Sequence, residues 1–262
     1  MFGRFSTLLD TARWGRLQTL SILTRNEVKS VALSSLEVQW LGKIDYLVAW
    51  DLQRAIAERR LSGEVSDTLL LLEHPPTFTF GRSADPANLL ASVEELEAEG
   101  FAIVHSDRGG DITYHGEGQI VGYPILNLRE PPHAQDLHRY LRDLEEVLIR
   151  TLACFGVEAA RFAGYTGVWV GMGTPTPEKI AAIGVKASRW ITQHGFALNV
   201  SSNLSHYEKI VPCGIRGYGV TSLERLTGRA WTLDEVILPL KNAFCEVFGY
   251  EIKEGKATVT EK

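Results

Sequence analysis

Residues 179–200 read KIAAIGVKASRWITQHGFALNV, and the reading of this stretch decides the fold class. Two short apolar segments, 179–185 and 196–200, have the length and composition of strands. They follow each other at a hairpin-like spacing, which argues against strict strand–helix–strand alternation and for a mixed or largely antiparallel sheet. Outward from here, residues 68–72, 102–105, 119–126 and 167–170 are further short apolar segments bounded by turn residues. Helical patterns cover 44–60, 93–99, 136–155 and 233–248. In the third, Leu137, Leu141, Leu144, Leu148 and Leu152 recur at helical spacing and Gly156 supplies a stop. In the fourth, Thr232 and Glu235 form a capping-box pattern, and Pro239 is expected to kink or divide the helix. The fold class expected is α+β (mixed α/β): a single domain whose mixed, largely antiparallel sheet is flanked by helices.

The chain has 262 residues, 45% hydrophobic and 23% charged, a globular balance that allows a proper core. A net charge of −5 and a pI near 5.8 lack the electrostatic footprint of a nucleic-acid binder. No stretch approaches the ~18 consecutive apolar residues of a membrane span, since the run ending in Leu72 is flanked by Asp67 and Glu73. Cys154, Cys213 and Cys245 are odd in number, widely spaced and free of any CxxC, so a reducing compartment fits better than a disulfide framework. Cys154 and Cys245 read as core cysteines. No His, Asp or Glu group has metal-ligand spacing, and no metal is expected. Ahead of residue 36, Arg4, Arg13, Arg16, Arg25 and Lys29 face only Asp10 and Glu27. That segment reads as a disordered extension, a transit-like peptide or a mis-assigned start.

Three segments concentrate chemistry. RGGDITYHGEGQ, residues 108–119, lies between two apolar strands; its glycines let backbone N–H groups approach a ligand, while Arg108, Thr113, Tyr114, His115 and Gln119 offer side-chain hydrogen bonds. It carries neither phosphate-loop pattern. In IVPCGIRGYGVTSL, Cys213 sits on a Pro-Cys-Gly turn that can expose a thiol, with Arg216 close enough in sequence to favour the thiolate. Lys179 and Lys186 bracket the apolar strand of the opening stretch. Spacing alone leaves Lys179, Lys186, His115, His194 and His206 all open as partners of the cysteine.

Taken together, LLLEHPPTFTFGR (70–82), RGGDITYHGEGQ, TGVWVG (166–171), KIAAIGVK, HGFALNV and VPCGI (211–215) resemble the octanoyltransferase (lipoate-protein ligase B) family, of the biotin/lipoate ligase fold. The likeness runs from about residue 38 to 248. It departs at Glu117, where the family usually has Pro, and at the longer turn MGTPTPE (172–178).

The resemblance implies a catalytic domain at 36–252 between an extension at 1–35 and a polar tail at 253–262. It implies that Cys213 carries the acyl chain as a thioester and that Lys179 is its acid/base partner. Substrate-binding positions would be Arg108, Gly109, Gly110, Asp111, Ile112, Thr113, Tyr114 and His115, then Ala182, Ile183 and Gly184, then Gly195, Phe196 and Ala197. Octanoyl-acyl carrier protein would be the donor. Lipoyl domains of 2-oxoacid dehydrogenase complexes and the glycine cleavage H protein would be the acceptors, with no cofactor, nucleic acid or membrane involved. A cytoplasmic monomer is expected, or an organellar protein if residues 1–35 are a transit peptide. Leu70, Leu71, Leu72, Phe78 and Phe80 are candidate walls for the acyl slot, and Arg139, Arg142, Arg150 and Arg161 a candidate docking patch for acidic partners. The rival readings are an ATP-dependent ligase on the same fold and a non-catalytic binder of lipoyl domains or acyl carrier.

Overall fold

Leu69, Leu70, Leu71 and Leu72 are all fully buried, yet they belong to two different cores. Successive strand side chains point to opposite faces, so Leu69 and Leu71 enter one cluster and Leu70 and Leu72 the other. A strand covered on both sides is therefore central to a sheet with a layer on each face.

The computed structural model describes residues 34–254 apart from 215 and 216, and these form one compact unit. In chain order the elements are β1 (Ser34–Lys43), α1 (Tyr46–Leu61), β2 (Asp67–Glu73), β3 (Thr77–Phe80), α2 (Val93–Ala98), β4 (Ala102–His105), β5 (Thr113–His115), β6 (Gln119–Ile125), α3 (Leu137–Ala153), β7 (Ala159–Phe162) and β8 (Tyr165–Val170). There follow β9 (Glu178–Ser188), β10 (Ile191–Asn199), β11 (Gly219–Val220), α4 (Leu223–Thr227), α5 (Leu233–Phe248) and β12 (Tyr250–Glu254). A nine-stranded sheet runs β12-β1-β2-β6-β10-β9-β8-β7, with β11 on β9, and a three-stranded sheet runs β4-β3-β5. The path from β2 through β6, β10, β9 and β8 to β7 is antiparallel, while β12-β1, β1-β2 and β11-β9 are parallel. The mixed, largely antiparallel α+β expectation holds.

Helices α3 and α5 cover one face, through Leu144, Val147, Leu148 and Leu152 against Val236, Leu240, Phe244 and Phe248. Helix α1 covers the other through Ala49, Ile56 and Ala57. The small sheet has its own core around Phe78, Ile112 and Tyr114.

Helix α5 is not divided at Pro239. Its buried stripe keeps it helical through the missing N–H, so of the two expected outcomes, a kink or a division, the division does not occur. Cys154 is exposed rather than part of the core, because the stripe of α3 passes from Leu152 to the partly buried Phe155 and leaves Cys154 at the helix end. The hairpin β9–β10 is longer than expected and turns at Arg189 (φ 50°) and Trp190 (φ 64°). That primed turn was not legible, since Gly or Asn is its usual signal. Ser34 and Ser35 join β1 and Lys253 and Glu254 join β12; the rest of the extension and tail lies outside the described residues, as does Arg216.

Candidate active site

Two glycines set the geometry of the 108–115 loop. Gly110 has φ 87°, and a side chain on Gly81 would sit 2.8 Å from Arg108 Nη1 and collide with the Gly110 carbonyl. The buried Arg108 side chain donates to Thr79 Oγ1 (3.1 Å), the Thr79 carbonyl (2.5 Å) and the Gly109 carbonyl (3.1 Å). Gly109 N–H donates to the Val185 carbonyl at 2.9 Å, docking the loop on β9. Asp111 accepts from the N–H groups of Ile112 and Asp85 and from Asn88 Nδ2.

Between this loop and the β9–β10 hairpin lies a narrow cavity lined by both, the concave kind of place where small molecules bind. Arg108, Gly110, Asp111, Thr113 and His115 form one wall. Ala182, Ile183, Gly184, Gly195, Phe196 and Ala197 form the second, and Tyr46, Tyr123 and His194 complete it. Gly195 is required where β10 crosses β6, since a side chain there would collide with the Gly122 carbonyl.

Apart from the Arg108 guanidinium, the buried polar groups of the lining are held neutral. Burial holds His115 well below the usual histidine range, reinforced by His74, and pushes the Tyr123 phenol well up. Burial likewise lowers His74 to about 4; its ring bridges the Ile44 carbonyl (2.7 Å) and Tyr123 Oη (2.8 Å). His194 has a left-handed backbone (φ 55°) and meets Asp107 Oδ1 through Nε2 at 2.7 Å. Asp107 is held well below the carboxylate range by that hydrogen bond and by Lys186 Nζ at 2.5 Å. Lys186 is thereby committed to an ion pair.

Lys179 is buried near the start of β9, three residues ahead of Ala182 on the cavity wall. Its ammonium donates to the Thr166 carbonyl (3.2 Å) and lies 4.9 Å from the centre of the Trp169 ring, a cation–π contact. Gly167 lets β8 come close to β9 beside it: a side chain there would lie 2.6 Å from the Ala181 carbonyl. Gly167 N–H is held by Glu145 Oε1 at 3.1 Å, and that buried carboxylate is paired with Arg142 and Arg161.

The Cys213 backbone forms a short 3₁₀ turn, Pro212–Gly214, anchored by Val211 N–H on the Asn88 carbonyl at 2.7 Å. Gly214 abuts the loop so closely that a side chain would lie 2.7 Å from Asp111 Oδ2. A few residues on, β11 pairs with Glu178 and Lys179, and Thr221 N–H donates to the Lys179 carbonyl at 3.0 Å. The cysteine segment is thus tied to the loop on one side and to the lysine strand on the other.

Among the expected binding positions, Gly109, Ile112 and Tyr114 do not line the cavity. Gly109 docks the loop, Ile112 is in the small core, and Tyr114 donates or accepts at His206 Nδ1 (2.7 Å). Leu70, Leu71, Leu72, Phe78 and Phe80 are core residues, not slot walls, because their strands are covered on the faces they occupy. The four arginines do not form a free positive patch. Arg139 pairs with Asp143, Arg150 with Glu146, and Arg142 and Arg161 with Glu145. Glu117 is bound to Lys43 Nζ at 2.7 Å. Tyr46, Tyr123 and Glu145 carried no local signal, because nothing near them in sequence sets them apart from the other residues of α1, β6 and α3. Among the described residues, no three His, Cys, Asp or Glu side chains are grouped to hold a metal.

The family model described as the lipoyl protein ligase A/B catalytic domain matches residues 45–245. An octanoyltransferase of Rubrobacter xylanophilus is 53% identical over 219 residues, covering 82% of this chain and 95% of that one. One of Chloroflexus aggregans is 50% identical over 217 residues, covering 82% and 96%. Among solved structures, a bi-partite lipoate protein ligase from Thermoplasma acidophilum aligns with a TM-score of 0.66 at 16% identity, covering 87% of this chain and 88% of that one. That last likeness is one of fold.

Proposed function

The chain belongs to the octanoyltransferase family of acyltransferases, and from that premise we propose that it moves octanoyl from octanoyl-acyl carrier protein to the lysine of lipoyl domains through a Cys213 thioester. This would be the first step of endogenous protein lipoylation. The observation that carries the reading is the buried Lys179 ammonium: its strand walls the cavity and pairs with the segment that follows Cys213.

In the first half-reaction the Cys213 thiolate attacks the donor thioester. A carbon–sulfur bond forms to the enzyme, the bond to the carrier breaks, and Lys179 gives its proton to the departing thiolate. One thioester replaces another, so no ATP is consumed. In the second, the acceptor amine attacks the acyl-enzyme, the amide forms, its proton passes to Lys179 and the thiolate returns. The cavity would hold the acyl chain, each buried methylene contributing about 0.8 kcal/mol. Acceptors are lipoyl domains of 2-oxoacid dehydrogenases and the glycine cleavage H protein. A cytoplasmic monomer suits this reading.

Intact-protein mass spectrometry after mixing with octanoyl-acyl carrier protein, without ATP, tests it. Wild type should gain one octanoyl increment that hydroxylamine releases. Cys213→Ala should gain none, and Lys179→Ala should acylate slowly or not at all. No increment without ATP, but transfer from free octanoate with ATP, would overturn the covalent mechanism in favour of an adenylating ligase.

A further inference from the structure

Hydrogen-bond polarity under the cavity can be read from two backbone carbonyls, which accept and never donate. Asn199 Nδ2 lies 3.1 Å from the Thr221 carbonyl, so its Oδ1 faces Gln119. Gln119 Nε2 lies 2.9 Å from that Oδ1 and 3.2 Å from the Tyr114 carbonyl, with Tyr207 Oη at 3.1 Å. Gln119 Oε1 is therefore the atom 2.8 Å from His115 Nδ1, and the proton of that bond sits on the histidine. His115 lines the cavity, and with Nδ1 committed the nitrogen it has to offer there is Nε2.

We infer that Gln119 and Asn199 are positioning residues that lock His115 as its Nδ1–H tautomer and present Nε2 to the cavity as a hydrogen-bond acceptor. His194 holds the opposite tautomer, since its Nε2 donates to the Asp107 carboxylate and its buried Nδ1 has no partner among the described residues. The cavity wall at His115 thus recognises an N–H or O–H donor. The pair also reaches the catalytic lysine's backbone: Asn199 holds the Thr221 carbonyl, and Thr221 N–H holds the Lys179 carbonyl. One pair of amides joins the cavity histidine to the strand pairing beside Lys179.

The test is nitrogen-15 NMR of the histidine side chains in the full chain at neutral pH, which separates a protonated ring nitrogen from one bearing a lone pair. Wild type should show His115 protonated at Nδ1 alone, and Tyr207→Phe should keep that pattern because two acceptors still orient Gln119. In Gln119→Glu a carboxylate replaces the amide oxygen, favours the imidazolium and should bring His115 titration up towards neutral pH. The kinetic arm rests on the octanoyl-transfer reading: kcat/KM for transfer by Gln119→Glu should gain an acid limb and fall about tenfold across it, the scale of one lost buried hydrogen bond. An Nε2–H tautomer in wild type, or an unchanged His115 titration in Gln119→Glu, would overturn the inference. The tautomer is read without substrate, so its outcome is independent of whether octanoyl transfer is the reaction.

Discussion

Gly167 shows how much of the candidate chemistry rests on a residue that has no chemistry. Its φ of 121° and its 2.6 Å approach to the Ala181 carbonyl leave no place for a methyl group unless β8 moves against β9, the strands that carry Trp169 and Lys179. Gly167→Ala should shift the Lys179 ammonium off Trp169 and cut the acylation rate by about tenfold or more, as misplaced catalytic groups do, with little change in overall helix and strand content. Rapid-quench acylation kinetics beside circular dichroism would check it; an unchanged rate would separate Gly167 from the placement of Lys179. At this scale the Cys-Gly turn and the 108–115 loop stood out in sequence by composition. Glu145 did not, because one of three neighbouring acids in an amphipathic helix reads as a solvated residue until β8 is packed against it.

Among the elements, α5 shows local rules and packing deciding different things. Its start follows the local rule: Thr232 Oγ1 accepts from Glu235 N–H (3.4 Å), and Glu235 Oε2 accepts from Thr232 N–H (2.9 Å). Thr232→Ala should cost about 1 kcal/mol, a fall in Tm of roughly 2–4 °C for a chain of this size, measurable by calorimetry. Its continuity past Pro239 defies the local rule, since the stripe Val236, Leu240, Phe244 and Phe248 is buried against α3 and the sheet. The strands divide likewise. Those with an apolar run bounded by turn residues, β2, β4, β6, β8, β9 and the second half of β10, were legible. Short ones such as β5 and β11 exist because a neighbouring strand pairs with them, and nothing in three or two residues announces that.

For the molecule as a whole, burial of neutral imidazoles ties stability to pH. His74 titrates at about 4 and His115 well below its ordinary 6.5, so below pH ~6.5 the unfolded chain binds protons that the folded one excludes. Their contribution is fully present above that pH and is lost as pH falls, His74 accounting for about 3 kcal/mol between 6.5 and 4. Asp107, held below its ordinary 3.8 by His194 and Lys186, adds a second loss only under more acid conditions. Urea unfolding across pH 4–7 should show this slope, and His74→Gln should flatten it by about one proton; an undiminished slope would remove His74 from the account. By itself the sequence determined the mixed sheet, the principal helices, and the segments where glycine, cysteine and lysine gather, because periodicity and turn chemistry are local. Only the tertiary structure decided which of those residues share a cavity, that Lys179 rather than Lys186 is buried on an aromatic ring, and that the arginines of α3 and β7 are paired with acids of the same chain. Those outcomes depend on which strand lies beside which, and contacts between residues far apart in the chain leave no trace in its local pattern.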